Sequence, residues 1–402
     1  MTTLAEAPAA RATRGPRGLV VASALCAGVT VGNVYLAQPV LGLMAASLGV
    51  PAGAAGGVVT AALLGYAVGI LLLVPLGDLV DRRRLVVLLG SATPLLLVGA
   101  AVAPSVPVLS ALVGLAAAAT VVPQVLVPLV AEVSAPERRG SAVAWVQAGL
   151  ITGMMTSRVV SGAVGDAFGW RAVYLVAAAL TALVVVLTVR TLPVDAPRPR
   201  QRYRDLLAVL PGLVRRPVVL GPSLAQAAVF AGFNALWTTL ALVLTRPPHG
   251  LSASVAGLVG LLGLAGAVAA PLAGRGVDRV GARRVAGAGV LALLVAAPLL
   301  FLGGRWLLAL VPGVLLLAVG MQVCQVAHQA HVMIGQAETR SRRNAVYMVS
   351  AFLGGALGAT VGSAAYSATG WGAACAVAAG FFLLGGLAWW FGVRPPRERA
   401  AA

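Results

Sequence analysis

The chain is 402 residues long, strongly apolar and strongly basic. Hydrophobic residues make up 60% of it and charged residues only 10%, whereas soluble domains carry about 25% charge, so the composition excludes an ordinary soluble domain. The formal net charge is +18, and every basic residue is Arg because the chain contains no Lys. A chain of this length can hold about a dozen membrane spans of about 20 residues each.

Residues 1–18 form a polar tail that we predict to be cytoplasmic. The apolar run that follows is longer than the core of a signal peptide and no convincing cleavage site comes after it, so we expect an uncleaved first helix. Five more runs complete a predicted amino-terminal six-helix bundle over residues 19–192. Its predicted spans are 19–41, 54–76, 85–103, 106–132, 141–165 and 171–192.

A stretch rich in Pro and Arg, residues 193–217, is predicted to be a cytoplasmic linker. Six further runs predict a second six-helix bundle over residues 218–393, followed by a cytoplasmic tail at 394–402. The sequence therefore predicts an all-α membrane protein with twelve transmembrane helices in two bundles. The second set of spans is 218–244, 253–273, 285–303, 306–335, 344–367 and 371–393.

The arginines are distributed unevenly between the two predicted sides of the membrane. With both termini inside, 25 of the 29 basic residues fall in cytoplasmic segments. Lys and Arg are enriched in cytoplasmic loops of membrane proteins, so this distribution predicts that orientation. The arginines occupy separate short loops rather than one patch, which argues against nucleic-acid binding.

Two turns in different halves of the chain share one pattern. One reads GDLVDRRR over residues 77–84 and the other reads GRGVDRVGARR over residues 274–284. In each, a Gly is followed four residues later by Asp-Arg and then by a pair of arginines. The residues that we single out are Gly77, Asp78, Asp81, Arg82, Gly274, Asp278 and Arg279.

These turns resemble the signature loop of the major facilitator superfamily of secondary transporters, which reads roughly G-x-x-x-D-R-x-G-R-R between helices 2 and 3 and recurs more weakly between helices 8 and 9. The first copy lacks the internal Gly that the second copy has at Gly281. The resemblance implies that Arg82 pairs with Glu132 at the end of the fourth helix, and that the Asp faces the N-terminus of a neighbouring helix. Alternatively, the arginines only anchor the topology.

Other stretches also repeat between the halves. APERRGSAV after the fourth span is echoed by TRSRRNAV after the tenth, and Gly-Trp precedes both the sixth and the twelfth span. Many transporters are built from such repeats, with the substrate site near the midplane where the halves meet. YLAQPVL at 35–41 and the PERRG loop resemble a group often labelled arabinose or sugar efflux permeases. That label describes kinship rather than substrate.

Polar and aromatic residues occur at matching depths in the first and seventh predicted spans. In the resembled family these helices face the central cavity, and amide groups beside an aromatic ring suit a neutral or amphipathic organic solute. The same side chains often bond one helix to another instead. The candidates are Asn33, Tyr35, Gln38, Gln226, Asn234 and Trp237.

Arg158 is the one Arg in the interior of a predicted span, and burying it in lipid costs a few kcal/mol on insertion scales. It is therefore a candidate for the substrate site or for a gate, although it could instead snorkel to the interface. Proton-coupled drug exporters of the family usually carry an Arg in helix 4. The fourth span here has Gln124 but no Arg, so Arg158 is a candidate replacement for that charge.

The tenth predicted span carries the densest polar set, including Gln325 and His328, with His331 one turn further on. His titrates near neutral pH, so His328 is a candidate carrier of a coupling proton, or else a neutral group that hydrogen-bonds between helices. A metal site would need a third ligand that the sequence does not provide, so no metal or cofactor is predicted. No carboxylate falls at mid-membrane, which leaves His328, an acid at a helix end, or no proton coupling.

The leading functional prediction is a transporter of the bacterial inner membrane that exports a small organic molecule by alternating access, with or without proton exchange. Its predicted partners are the substrate and the lipid bilayer, with protons as a candidate coupling ion, and it is expected to be a monomer. Proton-coupled nutrient uptake is the alternative. A polytopic membrane enzyme is a remote one, since no catalytic grouping appears at one depth.

Overall fold

The structure is a computed structural model that describes residues 16–135, 138–193, 203–208, 210–334 and 339–393. Most of the predicted amino-terminal tail, part of the linker and the carboxy-terminal tail at 394–402 lie outside these ranges. Within the described ranges the chain forms α-helices and short 3-10 helices, with no β-strand.

Eight α-helices form the amino-terminal half. They are α1 (Pro16–Gly32), α2 (Leu41–Leu48), α3 (Ala52–Leu72), α4 (Arg82–Ala101), α5 (Val106–Ala119), α6 (Val122–Val133), α7 (Arg139–Phe168) and α8 (Trp170–Val189).

Two short helices and seven longer segments form the rest. They are α9 (Tyr203–Ala208), α10 (Leu210–Val214), α11 (Pro217–Thr245), α12 (Ala253–Val259), α13 (Leu264–Val280), α14 (Ala282–Gly303), α15 (Leu307–Val332), α16 (Arg340–Thr369) and α17 (Trp371–Gly392).

Three predicted spans are broken rather than continuous. The first ends at Gly32 and continues as a 3-10 turn, Asn33–Tyr35, before α2 begins at Leu41. Pro39 lies in this break, and a proline disfavours helical geometry at the residue before it. The fourth span divides into α5 and α6, and the eighth into α12 and α13 with a 3-10 turn between them.

Most of the second signature stretch, residues 274–284, is α-helical, so the predicted turn is wrong over most of its length. Gly274, Asp278 and Arg279 all lie within α13, which continues to Val280. No residue before Gly281 ends the helix. Gly281, with φ of +86°, ends α13, and α14 begins at the next residue.

The helices make twelve membrane-crossing units. Eleven helical stretches among the described residues are long and apolar enough to cross a membrane. The twelfth unit is α7, which is 30 residues long but carries Arg158 and many Gly, Ser and Thr residues that lower its hydropathy. This confirms the predicted fold class, a twelve-helix membrane protein in two bundles.

Because the number of crossings is even, the start of the first described helix and the end of the last lie at the same end of the molecule. We call it the arginine-rich end because Arg17, Arg82 and Arg138 lie there, and we call the opposite end the arginine-poor end. Each half therefore runs from the arginine-rich end and returns to it.

Helices within a half approach closely where glycines remove side-chain bulk. A Cβ on Gly153 of α7 would lie 2.1 Å from the carbonyl oxygen of Gly28 in α1. A Cβ on Gly65 of α3 would lie 1.9 Å from the carbonyl oxygen of Gly114 in α5. Because lipid provides little hydrophobic drive for helix association, such backbone packing is a main source of cohesion in a bilayer.

Candidate functional site

The two halves meet along two helix pairs, α3 with α16 and α7 with α12. At the arginine-poor end of the first pair, a Cβ on Gly53 or Gly56 would collide with Ser367 or Ser363 respectively. One turn further into the bundle, the hydroxyls of Thr60 and Thr360 lie 2.9 Å apart. The α3–α16 pair is therefore tightly closed toward the arginine-poor end.

The second pair is closed by a carboxylate. Asp166, near the end of α7, accepts the backbone N–H of Ala253 at 3.0 Å and of Ser254 at 2.6 Å, and so caps the start of α12. The N-terminus of a helix offers free N–H groups and a partial positive charge, both of which favour an anion. A side chain of one half thus stabilises a helix end of the other half.

Asp166 lies one residue beyond the predicted span 141–165 and is exposed. Its slight burial alone would raise its pKa, but the hydrogen bonds from Ser254, Ser252 and Ala253 outweigh this effect and hold the pKa of Asp166 below its ordinary value. Among the described residues Asp166 forms no ion pair. The closed contact therefore favours the ionised carboxylate.

Arg158 lies two turns before Asp166 on α7 and is only 3% exposed. Its Nε donates to Oε1 of Gln38 at 3.1 Å, and one Nη donates to the carbonyl of Met154 at 3.0 Å. Its guanidinium lies over the ring of Tyr35, 4.6 Å from the centroid, and over the ring of Trp237, at 5.1 Å. Because Trp237 belongs to the other half, Arg158 bridges the halves.

No Asp or Glu of the described residues pairs with Arg158. Its positive charge is instead balanced by π-faces and by amide and carbonyl oxygens, and cation–π contacts are worth about 2 kcal/mol or more when desolvated. The α12 side of the contact needs small residues, because a Cβ on Gly257 would lie 2.7 Å from the carbonyl oxygen of Arg158. The Nε2 of Gln38 is buried with no partner among the described residues.

A row of aromatic side chains continues from this contact into the bundle, and the sequence analysis did not identify it. Trp237 stacks on Phe233 and Phe233 on Phe230, with ring centroids 4.9 and 5.9 Å apart. Phe352 of α16 then bridges Phe230 to Tyr66 of the other half, at 5.5 and 4.7 Å. The spacing of the α11 rings, three and four residues apart, places them on one helix face and was available in the sequence.

The predicted cavity residues divide into two sets. The structure brings Tyr35, Gln38, Arg158 and Trp237 together where the halves meet. Gln124 donates to the hydroxyl of Tyr66 at 3.3 Å, and Tyr66 contacts Phe352 at the far end of the aromatic row. These five residues belong to one contact region.

The other candidates make their hydrogen bonds within one half, either between helices or within a helix. Asn33 donates to Thr181 of α8 at 3.0 Å, and Asn234 donates to the carbonyl of Phe230 in its own helix at 2.9 Å. Gln226 contacts the Nδ1 of His328 at 2.9 Å, joining α11 to α15.

His328 is fully buried and its ring lies 4.5 Å from that of Trp389 in α17. A protonated imidazole there would be a buried charge without a carboxylate partner among the described residues, which is costly. Gln325 is half-buried and its backbone carbonyl accepts the hydroxyl of Tyr347. No group of three or more potential metal ligands occurs in the described ranges.

The first signature turn holds an ion pair at the arginine-rich end. Arg82 donates to both carboxylate oxygens of Glu132, at 2.7 and 2.8 Å, so that the start of α4 is tied to the end of α6. Asp81 is the N-cap of α4 and accepts the N–H of Arg84 at 2.8 Å. Gly77 and Asp78 close a 3-10 helix, Val74–Asp78, and the side chain of Asp78 falls outside the description.

Among the described residues, which omit 335–338, the second signature copy shows no equivalent pair. Asp278 and Arg279 are exposed on the last turn of α13, and neither makes an ion pair within the described part of the chain.

Comparison with known proteins gives consistent relatives. The family model described as Major Facilitator Superfamily matches residues 23–333 and 223–402. "Probable transporter SCO4007" of Streptomyces coelicolor is 41% identical over 97% of this chain and 92% of its own length. "Uncharacterized transporter YgaY" of Escherichia coli O157:H7 is 36% identical over 95% of this chain and 97% of its own.

Solved structures share the fold. A bacterial homolog of the human lysosomal transporter Spinster, in an inward-facing conformation, has a TM-score of 0.71 at 18% identity, covering 96% of this chain and 100% of its own. The nucleoside transporter NupG has a TM-score of 0.74 at 14% identity, covering 93% and 98%. The xylose transporter XylE of E. coli has a TM-score of 0.73 at 14% identity, covering 96% and 99%.

The family match extends over both halves, and the alignment with the relatives named as transporters covers almost their whole length. The twelve crossing units agree with the shared fold. The chain is a multi-pass membrane protein and a transporter of the major facilitator superfamily.

Proposed function

We propose that this transporter exports a small organic molecule from a bacterial cell by alternating access. The one-sided closure of the two halves supports alternating access, and the resemblance of YLAQPVL and of the PERRG loop to efflux permeases supports export. Contacts between them run from Asp166 and Gly53 at the arginine-poor end to Tyr66 near the middle. Toward the arginine-rich end, the face of α7 that carries Arg158 continues three turns further to Gln147, which is exposed, and this supports an opening there.

In the proposed orientation the arginine-rich end faces the cytoplasm, as the positive-inside rule favours. The molecule is then open to the cytoplasm and closed to the outside. Substrate enters from the cytoplasm, and the halves rock to break the closed contacts. We further propose that the protein works as a monomer in the inner membrane.

The proposed substrate site centres on Tyr35, Gln38, Arg158 and Trp237, with Gln124 beside them. In the closed arrangement Arg158 is covered by the other half. Separation of α7 from α12 would uncover the guanidinium and the partnerless amide of Gln38. A ligand with an aromatic or polar group would then replace the contacts that Arg158 loses.

We propose Asp166, rather than His328, as the group through which protons act. His328 is buried between α11, α15 and α17, away from the contact between the halves. Asp166 is accessible to water, and its hydrogen bonds exist only while the arginine-poor end is closed. Proton uptake from outside would weaken those bonds and favour opening, which is the coupling that a proton antiporter needs.

Transport by Arg158 variants tests the proposal. In inside-out membrane vesicles with an imposed pH gradient, wild type should accumulate labelled compounds from a screen of organic solutes. Arg158→Gln should reduce the initial rate at least about tenfold, and Arg158→Lys should also reduce it, because an ammonium lacks the planar face that stacks on two rings.

The matched control for that experiment is Arg305→Gln, which removes an exposed arginine at the arginine-poor end and should transport normally. Accumulation only in right-side-out vesicles would favour nutrient uptake over export. Wild-type rates in both Arg158 variants would contradict the proposed site.

The Asp166 contact predicts a pH-dependent closure. Because the closed state holds the pKa of Asp166 low, the carboxylate stabilises closure above its ordinary pKa, and this stabilisation is lost as pH falls through the lowered pKa. In a Thr60→Cys variant, labelling by an impermeant thiol reagent should rise as the outside is acidified. Adding Asp166→Asn should raise labelling at neutral pH and remove the acid response.

Labelling in that experiment is normalised to an exposed Arg305→Cys, which corrects for the pH dependence of the thiol reaction itself. A normalised acid response that survives Asp166→Asn would assign the titration to another group.

The Arg82–Glu132 pair makes a third prediction. Arg82→Ala should lower the transport rate while the protein still inserts in the membrane, because the tie between α4 and α6 is lost. Glu132 is largely exposed, so the pair is worth about 1 kcal/mol at most and the effect should be a several-fold one. The charge-swapped pair Arg82→Glu with Glu132→Arg should recover part of the rate. Equal rates in Arg82→Ala and in the exposed control Arg84→Ala would refute a role for the pair.

A further inference from the structure

A long groove runs along the outside of the amino-terminal half, between α7 and α8. A single residue, Gly169 with φ of +81°, joins these helices, so they are close at the arginine-poor end and diverge toward the arginine-rich end. Helix α1 forms the floor of the wedge. The resulting cavity has a volume of about 1000 Å³.

The walls of the groove are mainly apolar. A stripe on α7 with Trp145, Ala148 and Thr152 forms one wall, and Val176 and Leu180 of α8 form the other near the apex. The floor is deep because α1 and α7 approach closely at Gly28 and Gly153, and it is continued by Val21 and Leu25 of α1. Val21 and Leu25 are 59% and 53% exposed, so they are available to a ligand.

The corresponding wedge in the other half is occupied by the protein itself. There α16 and α17 are likewise joined by one glycine, Gly370 with φ of +89°. However, α17 packs directly on α11, with Phe382 against Gly232 and the backbone of Gly392 against Gly221. The open groove is therefore a particular property of the amino-terminal half and does not follow from the fold.

Two arginines line the groove at its arginine-rich end. Arg17 at the start of α1 and Arg138 just before α7 are both exposed. Neither side chain forms an ion pair or a hydrogen bond with any residue that the structure describes. Two exposed guanidinium groups above an apolar channel are complementary to a molecule with an anionic head and a hydrocarbon tail.

We propose that this groove binds one anionic phospholipid, with its phosphate between Arg17 and Arg138 and an acyl chain along α7. The stretch of α7 from Arg138 to Thr156 measures about 27 Å at 1.5 Å per residue. One leaflet of a bilayer supplies about 15 Å of hydrocarbon, so the groove accommodates a whole chain. A lipid-facing helix surface without the wedge and the arginines would not distinguish lipids by headgroup.

Lipid retention by the intact protein tests this proposal. The full chain is purified from vesicles of equal parts phosphatidylglycerol and phosphatidylcholine, and native mass spectrometry counts the lipids that remain bound. Wild type should retain one phosphatidylglycerol. The double variant Arg17→Gln/Arg138→Gln should bind it roughly 30-fold more weakly, since each of the two juxtamembrane arginines adds about 1 kcal/mol toward anionic lipid and every 1.4 kcal/mol is about tenfold in affinity.

The matched control is Arg84→Gln/Arg284→Gln, which removes two exposed arginines from the same end but outside the groove and should retain the lipid. Equal retention by the two double variants would overturn the headgroup site. So would equal retention of phosphatidylcholine and phosphatidylglycerol by wild type.

A second variant tests the channel separately from the charges. Ala148→Phe fills the exposed wall of the groove and should displace the lipid, whereas Leu95→Phe, at a position 73% exposed on α4, should not. Quenching of tryptophan fluorescence by brominated phosphatidylglycerol supplies a local readout. The fluorescence due to Trp145, which is the part lost in Trp145→Phe, should be quenched in wild type and not in Ala148→Phe. Unchanged lipid retention and quenching in Ala148→Phe would overturn the groove as the binding site.

Discussion

A buried arginine without an acidic partner in the described chain is the constraint on which the contact between the halves depends. Arg158 lies inside the membrane region of α7, where an unsatisfied charge is expensive. Its surroundings offset that cost only while both halves are together, because Tyr35 and Gln38 come from one half and Trp237 from the other. In the proposed transport cycle, parting the halves would withdraw one π-face and admit water or substrate. The guanidinium would thereby couple solvation of the proposed central site to the position of the two bundles.

Local features of the sequence build this arrangement. The break of the first span around Pro39 turns the chain so that Gln38 meets Arg158. Gly257 lets α12 approach the backbone of α7, and Asp166 secures the same approach from the end by capping α12. The contacts between the halves combine these directional bonds with apolar packing, in which Phe352 and Ala356 of α16 join the core of the amino-terminal half. Such contacts can be broken together, as a rocking motion requires, with little loss of packing within each half.

The fold class and the family could be predicted from the sequence, because length, hydropathy and a duplicated turn are one-dimensional signals, and both predictions are confirmed. The pairing of Tyr35, Gln38, Arg158 and Trp237 could be predicted only as a set of candidates. The role of Asp166 was not visible, since its partner is the backbone of another helix and no sequence pattern marks an N-terminus capped from a distance. The continuous α13 differs from the predicted loop for a similar reason: only the conformation of Gly281 decides where that helix ends.

The most direct test of the account measures the distance between the halves at the arginine-poor end. One spin label is placed at Val102→Cys, just after α4, and the other at Leu302→Cys, on α14. Both positions are exposed and lie at the arginine-poor end, one in each half. Double electron–electron resonance on reconstituted protein should give one short distance in the wild-type background. Arg158→Gln should add a longer population, because the closed state loses its cation–π bridge. An unchanged distance distribution in Arg158→Gln would contradict the claim that Arg158 holds the halves together.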